Sequence, residues 1–271
     1  MSEFETRQLA ITAWAFSVLE LDDRPLFNAI AGEAISKLRA VGTGGAEDKA
    51  QRPVLTVRCL VGAFAASGRL AEPLLQEASA ALQRHSEPLD GPVRLGALQA
   101  SPAPRAEEPA ILRVQPRLCL LWKPPGWSVS IASEDDYDVV LRDVDRLSEE
   151  SGRPVQQWLV DHVGAAHPIA RDADAGHGLV HRLDRETSGV LLWARTYGGY
   201  HAARLQFAAS RVRKRYVCLC HGHVAPAPFS MQAPLEKVVV SGTACRSEVS
   251  PSGSKARTDV VAAAHLVSPE G

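Results

Sequence analysis

The spacing of apolar residues changes once along this 271-residue chain, near residue 117. Before that point apolar side chains recur every three or four residues; after it they gather in short runs bounded by Pro and Gly. A chain with that change of period folds as helices first and as strands mixed with helices afterwards. Leu9, Thr12, Ala13, Phe16 and Leu19 fall on one helical face. A second helix is predicted from Asp22 or Asp23 as N-cap, with Pro25 in its first turn. It would turn Leu26, Phe27, Ile30, Ala34, Ile35 and Leu38 toward a core, and Gly42, Gly44 and Gly45 break the pattern. The pairs Ala15-Phe16 and Pro25-Leu26 recur as Ala63-Phe64 and Pro73-Leu74, both shifted by 48 residues. A constant shift predicts two helical hairpins that stack because neither buries its apolar face alone.

Three regions follow. Residues 1–86 read as a helical repeat module. Residues 87–116 hold six of the eighteen prolines (Pro88, Pro92, Pro102, Pro104, Pro109 and Pro116) and read as a semi-extended linker. Residues 117–271 carry the short apolar runs. Leu118–Trp122, stopped by Pro124-Pro125-Gly126, predicts a buried strand entering a tight turn. Val190–Ala194 and Tyr216–Cys220 predict two more strands, with an amphipathic helix through Tyr200, Ala203 and Phe207 between them. The expected class is α+β, a mixed β-sheet domain preceded by α-helical hairpin repeats.

Composition excludes several functions. Apolar residues make 45% and charged residues 23% of the chain, which suits a folded protein rather than a disordered one. No apolar run approaches the ~18 residues of a membrane span. Met1–Arg7 has no apolar segment of the secretory kind. Cys59, Cys119, Cys218, Cys220 and Cys245 are odd in number and scattered, so they read as reduced thiols. The net charge of −1 hides two opposed regions: residues 133–174 hold eleven Asp and Glu against four Arg, and residues 182–216 hold seven Arg and one Lys against Asp184 and Glu186. Tyr197, Tyr200, Phe207 and Tyr216 lie among the basic residues, and bases stack on such rings beside cations.

The basic region opens with His181-Arg182-Leu183-Asp184-Arg185-Glu186-Thr187-Ser188-Gly189, leading into the run at Val190. An Asp on a turn before a rigid strand can serve as nucleophile or base, or form a structural salt bridge with Arg182 or Arg185. These nine residues resemble the active-site signature of the pseudouridine synthases, His-Arg-Leu-Asp, two variable residues, Thr-Ser-Gly, in the RluA-like branch. Lys123-Pro124-Pro125-Gly126 resembles the early Lys-Pro-x-Gly motif, with Trp122 where Asn is common. Lys214 to Gly222 is similar to the later Lys-x-Tyr segment that ends in Gly. The three motifs stand in the family's order over about residues 111–225.

The resemblance implies an RNA pseudouridine synthase that isomerises uridine in structured RNA, with Asp184 as the catalytic aspartate. Arg182 matches the arginine that enters the RNA helix and helps hold the flipped nucleotide, and Tyr216 the tyrosine that stacks on the target uracil. His181, Thr187 and Lys214 match further substrate-side positions; Lys123 and Lys214 would support the fold or touch the RNA backbone. No cofactor is implied, and no phosphate-binding Gly-rich loop is present. The partner expected is RNA, ribosomal or transfer RNA, with no membrane; the oligomeric state is open and compatible with a monomer. The family's later Gly-Arg-x-His-Gln segment, whose arginine pairs with the catalytic carboxylate, has no counterpart here. After Gly222 only Arg246 and Arg257 occur, so the domain reads as C-terminally incomplete and the charge environment of Asp184 as lacking a partner. An S4-type N-terminal RNA-binding domain is not recognisable.

Two other readings compete. Cys218, Cys220, His221 and His223, with His177 and His181, raise a metal site, although C-x-C-H-x-H lacks the usual loop spacing for zinc, and core thiols with solvated histidines are the simpler account. A catalytically degenerate RNA-binding protein is the second. Gln8–Phe16 loosely resembles octotricopeptide-like helical repeats of organellar RNA-binding proteins. The compartment expected is intracellular, either a plastid or mitochondrion or the cytoplasm.

Overall fold

The computed structural model describes residues 3–40, 52–90, 98–101, 107–129, 153–241 and 244–265. The described residues form two compact units, one up to residue 213 and one from residue 214 onward.

The first unit opens with α1 (Thr6–Val18), α2 (Arg24–Ala40), α3 (Arg52–Ala66) and α4 (Glu72–Asp90). Asp23 caps α2: its Oδ1 accepts the Leu26 N–H at 2.9 Å, and Pro25 needs no partner for an N–H it lacks. Phe27, Ile30, Ala34 and Leu38 are buried, as their spacing predicts. α1 buries Leu9, Ala10 and Ala13. Leu19, predicted on the same face, lies just past the helix end and is exposed. α1 packs on α3 and α2 on α4, and the Phe27 and Phe64 rings meet edge to face with centroids 5.3 Å apart. Gly42, Gly44 and Gly45 lie outside the described residues.

Two elements fall inside the stretch read as semi-extended. α4 continues through Pro88 to Asp90; Pro88 cannot give the ladder bond to the Arg84 carbonyl, and the helix ends within two residues. Residues Ala110–Val114 form strand β1, which has β2 (Leu118–Lys123) to pair with. Pro92, Pro102 and Pro104 lie outside the described residues.

β2 also pairs with β5 (Gly189–Ala194), giving an antiparallel sheet in the order β1-β2-β5. β3 (Trp127–Ser128) and β4 (Arg153–Pro154) make a short parallel pair, and β4 leads directly into α5 (Val155–Val163). Small separate sheets thus stand where one mixed sheet was expected, within the α+β class. Along β2 the burial alternates: Cys119, Leu121 and Lys123 are buried, Leu118, Leu120 and Trp122 half-buried. The buried face packs on Val155, Leu159, Leu179, Leu191 and Trp193.

α6 (Tyr197–Ala208) joins this layer to the helices, since Leu205 shares the helical core while Tyr200 and Ala203 pack with Ile169, Val180 and Ala194. Its first turn is capped by two side chains: Thr196 Oγ1 accepts the Gly199 N–H at 3.0 Å, and Asp90 accepts the Gly198 N–H at Oδ2, 3.0 Å, and the Tyr197 N–H at Oδ1. A carboxylate at a helix N-terminus satisfies orphan donors and opposes the positive dipole end. Asp90→Ala should lower the stability of this unit by about 1–2 kcal/mol, read as a lower urea midpoint with unchanged slope.

His201, also on α6, is buried. Burial first, then Arg58, His85 and Arg204, push its pKa down to about 3. Below pH ~6.5 the unfolded chain takes up a proton that the folded chain refuses. Stability is therefore complete above that pH and falls as pH drops, by about 2 kcal/mol on reaching pH 5. Urea melts at pH 7 and pH 5 should show this loss in the native chain and a smaller one in His201→Phe.

In the second unit β6 (Phe229–Gln232) pairs with β9 (Arg257–Val260), and β7 (Leu235–Ser241) with β8 (Ala244–Val249), both antiparallel. The third predicted strand does not form. Tyr216–Cys220 carries no strand, and Tyr216, Val217 and Leu219 are exposed. Alternating apolar residues supply propensity, but a strand needs a neighbouring ladder, and this segment pairs with none among the described residues.

Candidate active site

Leu183 organises the loop that precedes β5. It is buried in the core beside Leu121, Leu191 and Trp193. In an extended segment the residues on either side then face outward, and Arg182 and Asp184 are both exposed. Asp184 opens a tight turn closed by the Thr187 N–H donating to the Asp184 carbonyl at 3.0 Å. Arg185 pairs with Glu186, Nε to Oε1 at 2.8 Å.

Beneath the turn lies Lys123, fully buried at the end of β2. Its ammonium donates to three backbone carbonyls: Thr187 at 2.7 Å, Arg185 at 2.9 Å and Pro124 at 3.1 Å. That uses all three donors an ammonium has. The Arg185 carbonyl also accepts the Gly126 N–H at 2.8 Å, and Gly126 makes this approach with φ +81°, where only glycine is unstrained. The Lys-Pro-Pro-Gly turn and the Asp184 turn are thus one hydrogen-bonded body. Burial lowers the Lys123 pKa, while the carboxylates of Glu186 and then Asp184 oppose the shift.

On the other side of the loop His181 is half-buried. Its Nε2 accepts the Leu192 N–H at 3.0 Å and its ring stacks on Phe207 at 5.3 Å. Gly178 sets the approach to the loop with φ +80°; a Cβ there would sit 2.5 Å from the Ala194 carbonyl oxygen and 2.8 Å from Trp193 Nε1. Gly178→Ala should therefore cost about 3 kcal/mol or more, visible as a large drop in thermal midpoint.

Thr187 is half-buried with its carbonyl committed to Lys123. Arg182, Leu183, Asp184 and Thr187 thus come from one loop. Lys214 and Tyr216 are exposed in the second unit. Arg246 pairs with Glu248 and Arg257 with Asp259 in strands of that unit. Cys218 and Cys220 are exposed, not core thiols. Among the described residues no three His, Cys, Asp or Glu are placed to hold a metal ion, and no helix is long and apolar enough to cross a membrane.

Sequence reasoning missed the anchor Leu183, although it sits inside the motif. It also missed Asp172, whose Oδ2 accepts the Tyr197 hydroxyl at 2.8 Å, and Asp90, for which no local pattern exists.

The sequence profile of the RNA pseudouridylate synthase family matches residues 118–265, more than half of the chain. The chain belongs to this family, in its RluA-like branch. It is similar to proteins named ribosomal large subunit pseudouridine synthase C. The one from Buchnera aphidicola is 33% identical over 107 residues, 40% of this chain and 33% of that protein. Those from Yersinia pestis and Escherichia coli K12 are each 31% identical over 128 residues, 47% of this chain and 39% of theirs. The chain thus matches between a third and two fifths of the length of these relatives.

Proposed function

We propose that this chain isomerises uridine to pseudouridine in structured RNA, with Asp184 as the catalytic carboxylate. The observation that carries the reading is the turn at Asp184, presented to solvent by buried Leu183 and held by Lys123. The reaction breaks the C1′–N1 bond, joins C1′ to C5, and moves the C5 proton to solvent while N1 gains one. The base must leave its stack, rotate and reattach, at a cost of a few kcal/mol of unstacking. A rigidly held carboxylate and an aromatic platform tolerant of ring rotation are what those steps need.

Arg182, exposed beside Asp184, would enter the RNA helix and hold the flipped nucleotide. Tyr216 would stack on the uracil and Lys214 contact the backbone. Thr187 would face the substrate beside the turn. His181, whose Nε2 accepts the Leu192 N–H and whose ring stacks on Phe207, would position the loop on the substrate side. Ribosomal RNA is the favoured substrate, since the similar proteins carry that word in their names. The helical region fits a two-copy repeat: α2 starts at Arg24 and α4 at Glu72, and α1 ends at Val18 and α3 at Ala66, each pair 48 residues apart.

The test is detection of pseudouridine in a ribosomal RNA transcript incubated with the chain. Binding without product from any uridine-containing RNA would sink the enzymatic reading in favour of a degenerate RNA-binding protein. Tyr216→Ala should weaken productive RNA use by about 10- to 100-fold, as expected for losing ~1–3 kcal/mol of stacking, whereas Tyr216→Phe should keep most of it.

A further inference from the structure

We infer that Cys218 and Cys220 are a redox modification site, closed reversibly into an intramolecular disulfide by a low-molecular-weight disulfide such as oxidised glutathione. Both thiols are exposed and their Sγ atoms lie 3.7 Å apart. A disulfide needs ~2.05 Å between sulfurs, so side-chain rotation with a small backbone adjustment closes the gap. The segment carries no strand, so no ladder opposes that adjustment. Exposed Lys214 and Arg215 lie just upstream and attract an anionic reagent. Of the other described thiols, Cys119 is buried and Cys59 half-buried.

The chemistry balances. One cysteine thiolate attacks the glutathione disulfide, forming a mixed disulfide and releasing one glutathione thiolate. The second cysteine attacks the protein sulfur of that bond, Sγ–Sγ forms, and the second glutathione leaves. The two protons lost by the protein end on the two glutathiones; the cysteines are oxidised and the reagent reduced. A ring spanning one intervening residue is tight, and tight disulfides are easily reduced, the property of regulatory rather than structural bonds. The hydrogen bond that Cys220 shares with Cys218 raises the Cys220 pKa, so exchange is faster at mildly alkaline pH. Tyr216 precedes the pair by two residues, so closing the ring changes how Tyr216 is presented; this regulatory half rests on the proposed function, whereas the site itself does not.

The full chain is incubated with oxidised glutathione at pH 8, alkylated, cleaved with trypsin and weighed. The fragment Tyr216–Lys237 contains Cys218 and Cys220 and no other cysteine. It should be about 2 Da lighter than the dithiol and resist alkylation until reduced, while Cys119 stays unmodified. A fragment carrying only glutathione adducts, or two alkylated thiols, overturns the site. In parallel, RNA binding and pseudouridine formation should fall several-fold on oxidation and recover with dithiothreitol, and Cys218→Ser should be insensitive. A ring that forms with no change in either readout overturns the regulatory half. Absence of pseudouridine in both redox states counts against the proposed function and leaves the mass result standing.

Discussion

Asp184→Asn should remove pseudouridine formation, by about 10³-fold or more, while leaving RNA binding and the thermal midpoint close to those of the native chain. The side chain is exposed, so the amide, nearly the same in shape, replaces it without leaving a buried vacancy. The backbone carbonyl that closes the turn is untouched by the substitution. Separation of the two readouts is what identifies a chemical role. If Asp184→Asn lost binding and product together, Asp184 would be a recognition residue; if it retained product, another group would carry the chemistry.

Lys123→Met should have a large effect on stability. Methionine keeps most of the buried stem and removes the charge. Three backbone carbonyls then lose a charged donor; the Arg185 carbonyl keeps the Gly126 N–H, and a buried acceptor left without a partner costs about 1–3 kcal/mol when not rehydrated. With partial relaxation, a loss of about 3 kcal/mol is expected in a urea melt. Lys123→Arg should not restore it, because a planar fork cannot converge on three carbonyls around one point. Near the midpoint of the loss, where some chain remains folded, isomerisation should drop further than RNA binding, since the Asp184 turn loosens before the rest of the unit opens. A change below about 0.5 kcal/mol, the range of ordinary surface substitutions, would show that water replaces the ammonium and that Lys123 is not what holds the turn.

The two substitutions separate what was readable from what was not. Asp184 stood out in the sequence because its neighbours form a motif in nine consecutive positions. Lys123 was recognised as a motif position with a supporting role, but its contacts lie 62 and 64 residues away along the chain. The strands at Leu118–Lys123 and Gly189–Ala194 were legible from apolar runs bounded by Pro and Gly. The same signal at Tyr216–Cys220 misled, because a run records propensity and not the presence of a partner. Pro88 likewise suggested an extended chain, and the helix absorbed it near its end.

By itself the sequence determined the helical first part, the cap at Asp23, the change to α+β near residue 117, and the candidate carboxylate. All of these are local: they depend on spacing within a turn or a strand, on dihedral limits of Pro and Gly, or on consecutive motif residues. Only the tertiary structure decided that Leu183 anchors the loop, that Lys123 lies beneath it, and that Asp90 caps a helix 108 residues downstream. Those roles arise because burial removes water from a charge or carbonyl, and the group that must replace that water is chosen by proximity in space, which local spacing does not encode.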